Sequence, residues 1–265
     1  MKKIIIIFIL LIFSTTLHAG WWKKFKKSLK KKWKATGQKS NYRYPGVSTG
    51  NFWGVLSAKA GDSMSSKYGL LMDPTANTRV RTIGHRVARQ SRKNYNYRFG
   101  ILNTNIVNAF AFPNGQIYVT KGLLKMVESD DELACVLGHE CAHVRNRDSE
   151  KALLKNLFFL GTMQSILGDS KSSKYKWMTL VSSLTMLKLS RTDEYEADYT
   201  GMEYAYGAGY DPMGMSGFLR KLKDREGNSS AISRGLLKFI STHPDTKTRI
   251  NRTLSTVSAL NNRGR

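Results

Sequence analysis

Leu137-Gly138-His139-Glu140-Cys141-Ala142-His143 lies in a strongly helical part of the chain. It is an H-E-x-x-H sequence. Residues four apart in a helix lie one turn apart on one face. His139 and His143 can therefore reach one metal ion, and Glu140 can act on a water held by that metal. Five residues with two free positions recur by chance, so the motif needs support from the rest of the chain. The alternative is a pair of satisfied core histidines. The chain has 5 histidines in 265 residues, which makes two of them in this arrangement less ordinary.

The surroundings predict a helix from about residue 130 to about residue 147. Ser129-Asp130-Asp131-Glu132 has the form of a capping box, with acids where a helix N-terminus is electropositive. Arg145 and Arg147 fall in the last turns, where cations are favoured. Both histidines then sit on rigid backbone well inside the helix.

Two histidines do not close a zinc site. A catalytic site needs a third protein ligand and an open position. The best candidate is Ser190-Arg191-Thr192-Asp193-Glu194-Tyr195-Glu196-Ala197-Asp198. Glu194 and Asp198 are four apart and share a helix face. One carboxylate can bind the metal while the other accepts a hydrogen bond from a ligand histidine. Read alone, the block is a solvated acidic face. With only 19 acidic residues in the chain, this clustering is less ordinary.

Several separated segments now resemble one family, the gluzincin metallopeptidases of the HtpX and CAAX-prenyl-protease type, which include soluble periplasmic members. Asn108-Ala109-Phe110-Ala111-Phe112-Pro113-Asn114-Gly115-Gln116-Ile117-Tyr118-Val119 is similar to its N-A-F-A-x-P-G-G-x-I-x-V segment, and Gly122-Leu123-Leu124 follows as it does there. Glu132-Leu133-Ala134, the H-E-x-x-H, the Ser190 to Asp198 block, Ser241-Thr242-His243-Pro244 and Arg249-Ile250 complete the series. The resemblance covers roughly residues 60–258. Two departures stand out. Asn114 replaces a glycine, and Asn can take the same left-handed conformation. A histidine often found after the active helix has no counterpart in Asn146-Arg147-Asp148.

The resemblance implies roles. His139, His143 and Glu194 would bind one Zn2+ per chain. Glu140 would be the general base that later passes its proton to the leaving amine. Asp198 would orient a ligand, His139 above all. His243 would stabilise the oxyanion or cap the zinc of a resting enzyme, with Arg249 in support. The alternative for Thr242-His243-Pro244 is an ordinary helix-start turn. The implied architecture is a mainly helical α+β zincin-type domain.

Residues 106–120 add a mechanical element. Ile117-Tyr118-Val119-Thr120 is rich in β-formers and Pro113-Asn114-Gly115 is a turn signal, so a hairpin is expected. In zincins an edge strand near the metal aligns substrate by accepting it as a further strand. The resemblance gives that task to Asn108, Ala109, Phe110 and Ala111. A plain core hairpin is the alternative, and the two are compatible.

The N-terminus has a separate character. Met1-Lys2-Lys3 and an apolar run over 4–13 read as a secretory signal spanning 1–19, because the run is shorter than the ~20 residues of a spanning helix. An uncleaved anchor is the alternative. A basic arm follows at 20–45. Residues 21–34 hold eight lysines, and Trp22, Phe25, Leu29 and Trp33 recur at helical spacing, the pattern of an interfacial helix on an anionic membrane surface. A solvated tail or a polyanion-binding arm would share the charge. Lysines directly after an apolar core oppose translocation, which leaves open a cytoplasm-facing domain on an uncleaved anchor. The net charge of +24 favours acidic substrates or lipid surfaces, and nucleic acid is a poor partner for an exported protein.

Cys135 and Cys141 lie six apart on the active helix, about 9 Å by helical rise, beyond disulfide reach. They read as buried small hydrophobes, with Cys135 a lesser candidate ligand than Glu194. The expected protein is an exported, periplasmic zinc metalloendopeptidase held near a membrane, acting on unfolded or misassembled envelope proteins. The competing class is a non-proteolytic or latent chaperone-like protein that keeps the fold.

Overall fold

The computed structural model describes residues 52–92, 95–153, 155–156, 181–185, 187–226 and 242–263. The expected signal and basic arm, with Trp22, Phe25, Leu29 and Trp33, lie outside the described residues, as do the apolar residues 157–180. Seven helices and three strands have defined bounds: α1 (Phe52–Tyr68), α2 (Pro74–Ala88), β1 (Arg98–Leu102), β2 (Ala109–Ala111), β3 (Gln116–Thr120), α3 (Lys121–Leu124), α4 (Asp130–Asn146), α5 (Arg191–Gly207), α6 (Met213–Glu226) and α7 (Thr246–Arg263). The fold is mainly helical α+β, as expected. No described helix is long and apolar enough to cross a membrane. α1 straddles residue 60, the expected start of the catalytic domain.

The sheet has the order β1-β3-β2, with β1 parallel and β2 antiparallel to β3. The hairpin is where its turn signal put it. The left-handed residue is Gly115 at φ 84°, however, and not Asn114. Asn114 serves through its side chain, whose Oδ1 accepts from Gln116 N at 3.1 Å. β1 was not anticipated: Arg98-Phe99-Gly100-Ile101-Leu102 is short, carries a glycine and joins the sheet through a distant parallel partner.

Period-two alternation divides the sheet. Phe99, Ile101, Ala109, Ile117 and Val119 join the main core with α2, α4, α5, α6 and α7. Leu102, Phe112 and Tyr118 face a second cluster with Leu56, Ala60 and Met64 of α1 and with Leu153, Leu184 and Leu187.

Helix ends follow their chemistry. Asp73 caps α2 by accepting from Ala76 N, with Pro74 in the first turn. Ser129 accepts from Glu132 N to start α4. The reciprocal arm of the expected capping box is diverted, because Glu132 instead accepts from Glu128 N and from Lys221 Nζ of α6. α5 carries a full capping box between Ser190 and Asp193. Arg147, at φ 61°, ends α4 in the left-handed region.

α4 and α5 meet backbone to backbone. A Cβ on Gly138 would stand 2.4 Å from Gly201 O, and one on Gly201 would stand 2.4 Å from His139 N. Alanine is the better helix former by roughly 1 kcal/mol, yet here the obstacle is main chain that cannot turn aside. The clash outweighs the propensity. Gly201→Ala is expected to lower stability by about 1–3 kcal/mol, as for overpacked cores, and a thermal or urea melt checks it. An unchanged or raised melting point would show that the crossing can widen freely.

Candidate active site

Each site residue is delivered by a local structure already described. α4 presents His139, Glu140 and His143 on its buried side, and α5 presents Glu194 and Asp198 one turn apart. Capping uses Asp193, and Glu196 remains exposed, so the acidic block divides into cap, solvated residue and site. His243 precedes α7, where Asp245 takes φ 71° and accepts from the Tyr195 hydroxyl of α5. All six of His139, Glu140, His143, Glu194, Asp198 and His243 are buried.

Four of these residues converge. Ligand atoms of His139, His143, Glu194 and His243 lie within 4.8 Å of one another. His139 Nε2 and His143 Nε2 are 2.9 Å apart, and His139 Nε2 is 3.4 Å from His243 Nδ1. Glu194 places its oxygens 3.5 Å from His139 Nε2, 3.4 Å from His143 Nε2 and 3.1 Å from His243 Nδ1. Cys135 is not in this group; its Sγ lies 3.7 Å from the carbonyls of Asp211 and Pro212. Burial raises both cysteine thiols above their ordinary pKa, so they stay neutral.

The outer faces of the two imidazoles are occupied by carboxylates. His139 Nδ1 is 2.9 Å from Asp198 Oδ1, the partner expected for it, with the N–H angled off the ideal hydrogen-bond line. His143 Nδ1 is 2.9 Å from Asp148 Oδ2, a residue that sequence reasoning missed. Asp148 stands in the very segment where the family's histidine is absent. A carboxylate five residues after the second histidine, just past the helix end, was the available signal. Arg249 is buried in the first turn of α7. It donates twice to Asp198, each at 2.7 Å, and its third nitrogen lies 2.9 Å from Glu194 Oε2. Its placement is against the two α5 carboxylates.

The electrostatics call for a cation. With both Nδ1 positions turned to carboxylates, both Nε2 atoms point toward one place, and Glu194 adds anionic oxygens there. Burial, then His143, lowers the His139 pKa. Burial opposes charge on His143, but Asp148 and Glu194 outweigh it and hold its pKa up at about 10. Burial would raise the Glu194 carboxyl, yet His243 and Arg249 hold it well below the usual range. Asp198 is lowered in the same way, chiefly by Arg249. Of the four buried carboxylates at Glu140, Asp148, Glu194 and Asp198, Arg249 pairs with Glu194 and Asp198, and Lys151 reaches Asp148 at 3.2 Å. Tetrahedral zinc with bonds of about 2.0–2.1 Å has ligand–ligand edges of roughly 3.3 Å, close to the 2.9–3.5 Å separations of these pairs. The donor set of imidazoles and a carboxylate is also zinc's own.

A matching family model, peptidase family M48, spans residues 74–257. The chain belongs to this family. It is 31% identical over 186 residues to the beta-barrel assembly-enhancing protease of Yersinia pestis, covering 66% of this chain and 37% of that one. It is 29% identical over 192 residues to the Escherichia coli protein of the same name, covering 68% and 39%. The mitochondrial metalloendopeptidase OMA1 of Arabidopsis thaliana is 37% identical over 153 residues, covering 56% and 29%. The chain thus spans well under half of the length of these relatives.

The expected substrate-aligning strand lies beside the cluster. Ala109, Phe110 and Ala111 line one small cavity with Glu140, His143, Ser149, Leu184, Leu187, Leu189, Thr242 and His243. Asn108 is fully buried at the start of this strand, and its carboxamide has no partner among the described residues. Metal analysis of the full chain should find about one zinc, with sharp loss in His139→Ala, His143→Ala or Glu194→Ala. Asp148→Asn should weaken zinc binding about 10–100-fold in a chelator competition, the usual cost of losing an orienting partner. Wild-type affinity in that variant would leave Asp148 without a part in the site.

Proposed function

We propose that this chain is a zinc metalloendopeptidase acting on unfolded or misassembled envelope proteins. The observation that carries the reading is the pair of carboxylate-backed imidazoles, 2.9 Å apart at Nε2, facing Glu194. His139, His143 and Glu194 would hold the metal. Bound there, zinc would lower the pKa of a water toward about 7 and polarise a scissile carbonyl.

The chain's own residues supply the remainder. Glu140 is buried, and its Oε1 has no hydrogen-bond partner among the described residues. An unmet buried acceptor is costly, and a proton from the attacking water satisfies it. Glu140 then delivers that proton to the departing amine, which completes the acid–base cycle. Asp198 and Asp148 hold the two imidazoles in the tautomer that leaves Nε2 bare. Arg249 keeps both α5 carboxylates ionised at depth. The edge strand aligns the peptide by main-chain bonds, and the Asn108 carboxamide offers a further donor and acceptor.

His243 supports a second statement. Its Nδ1 lies among the ligand atoms, 3.1 Å from both Glu194 oxygens, and its Nε2 lies 3.9 Å from Glu140 Oε1. Four protein ligands make a closed site, and catalysis needs an open one. This favours a resting enzyme capped by His243.

The substrate class rests on the relatives named for enhancing beta-barrel assembly. An exported, periplasmic location and the anionic-membrane role of residues 21–34 belong to the same proposal and rest on sequence pattern. Unfolded casein tests the chemistry. Glu140→Gln should keep zinc and fold but lose cleavage, and equal hydrolysis by both proteins would sink the mechanism. His243→Ala should raise activity; a loss of about 10²–10³ would instead make it an oxyanion donor. For the arm, vesicles with anionic lipid should bind the chain in a salt-sensitive way, and neutral vesicles weakly. Equal binding to both would reject the electrostatic role.

A further inference from the structure

The outer edge of β2 has a defined hydrogen-bond pattern. Thr120 N donates to Asn108 O and Phe112 N donates to Gln116 O. In an antiparallel pair, bonded and unbonded positions alternate. With Phe110 opposite Tyr118, residues 108, 110 and 112 turn inward to β3. Ala109 and Ala111 therefore turn their N–H and C=O groups outward, and no described strand pairs with that side.

One of those four groups is already occupied. Ser149 Oγ donates to Ala111 O at 3.1 Å. Ser149 lines the same cavity as Ala109, Ala111, Glu140, His143 and His243. It also follows directly on Asp148, which holds His143. The left-handed Arg147 turns the chain back so that both side chains face the site. One short segment thus touches both a prospective metal ligand and the strand that would receive a peptide.

We propose that Ser149 sets the length and register of the substrate strand. Its hydroxyl holds the Ala111 carbonyl, so a bound peptide pairs with Ala109 and with the Ala111 N–H and leaves the sheet there. This confines the peptide to three main-chain bonds and fixes which peptide bond lies over Glu140. Ser149 is a positioning residue that touches the aligning strand. The inference rests on the peptidase reading above.

The test compares wild type, Ser149→Ala and Ser149→Thr in the full zinc-loaded chain, with reduced casein as substrate. Freeing the Ala111 carbonyl adds one bond, and one net hydrogen bond corresponds to about a 2- to 10-fold change in affinity. Ser149→Ala should lower KM by that factor, with the change falling on KM rather than kcat. Its cleavage map, read by mass spectrometry, should gain new positions. Ser149→Thr keeps the hydroxyl and should restore the wild-type map. An unchanged map and KM in Ser149→Ala would overturn the proposal. So would a raised KM with an unchanged map, which would make Ser149 a strut of β2.

A second measurement needs no turnover. A labelled casein peptide should bind Glu140→Gln/Ser149→Ala more tightly than Glu140→Gln in fluorescence anisotropy. Equal affinity overturns the register proposal and leaves the peptidase reading standing. Cleavage by Glu140→Gln itself sinks the peptidase mechanism instead, and peptide binding to neither variant overturns both.

Discussion

The close crossing of α4 and α5 at Gly138 and Gly201 is the constraint on which the site depends. Each glycine approaches the main chain of the other helix more closely than any Cβ allows. His139 follows Gly138 directly, so its imidazole is launched from the contact itself. Glu194 and Asp198 stand on the facing helix, two turns and one turn before Gly201 respectively. Two rigid helices held backbone to backbone therefore fix the imidazole–carboxylate distances without any flexible side chain having to reach. Wider spacing would leave buried charges apart and unpaired, which is far more expensive than leaving them in water.

Buried charge is the second requirement, and it is met by layering. The converging atoms are the imidazole nitrogens of His139, His143 and His243 and the oxygens of Glu194, the set that would hold a cation. Behind them stand Asp198 and Asp148, and behind Asp198 and Glu194 stands Arg249. Arg249 is the largest fully buried side chain among the described residues and comes from α7, the last described helix. The chain's C-terminal part is thereby bound into the electrostatics of the centre. Loss of that guanidinium would strand two carboxylates at depth, so α7 has an energetic role well beyond its apolar packing.

The sheet contributes position more than bulk. β3 is central and buried along its whole length, which leaves β2 as an edge beside the metal-ligand group. An unpaired edge is a liability for aggregation in most proteins. Here Ala109, Phe110 and Ala111 line a cavity with Glu140 and His243, and Leu184, Leu187 and Leu189 line it too. Main-chain bonding at such an edge is indifferent to side-chain identity, which would suit the unfolded substrates proposed above.

The features legible from chain order alone are local ones. The spacing of His139 and His143, and of Glu194 and Asp198, is helix geometry, and four-residue spacing is legible without knowing what the helix packs on. The hairpin was legible for the same reason, since Pro113-Asn114-Gly115 bends the chain wherever it lies, although the left-handed residue proved to be Gly115. The Cys135 and Cys141 thiols were correctly read as buried. Whatever joins distant segments came from packing in three dimensions. β1 gains its strand character from a parallel partner across a crossover, which no pattern within five residues can announce. Gly201 looks like a weak point in a helix until Gly138 is placed against it. Arg249 was expected beside His243 and stands against Glu194 and Asp198. Asp148 and Ser149 look like ordinary polar residues after a helix, and only the left-handed turn at Arg147 aims one at His143 and the other at Ala111. Periodicity is a property of neighbours in sequence, whereas a metal-ligand group and a strand edge are properties of neighbours in space.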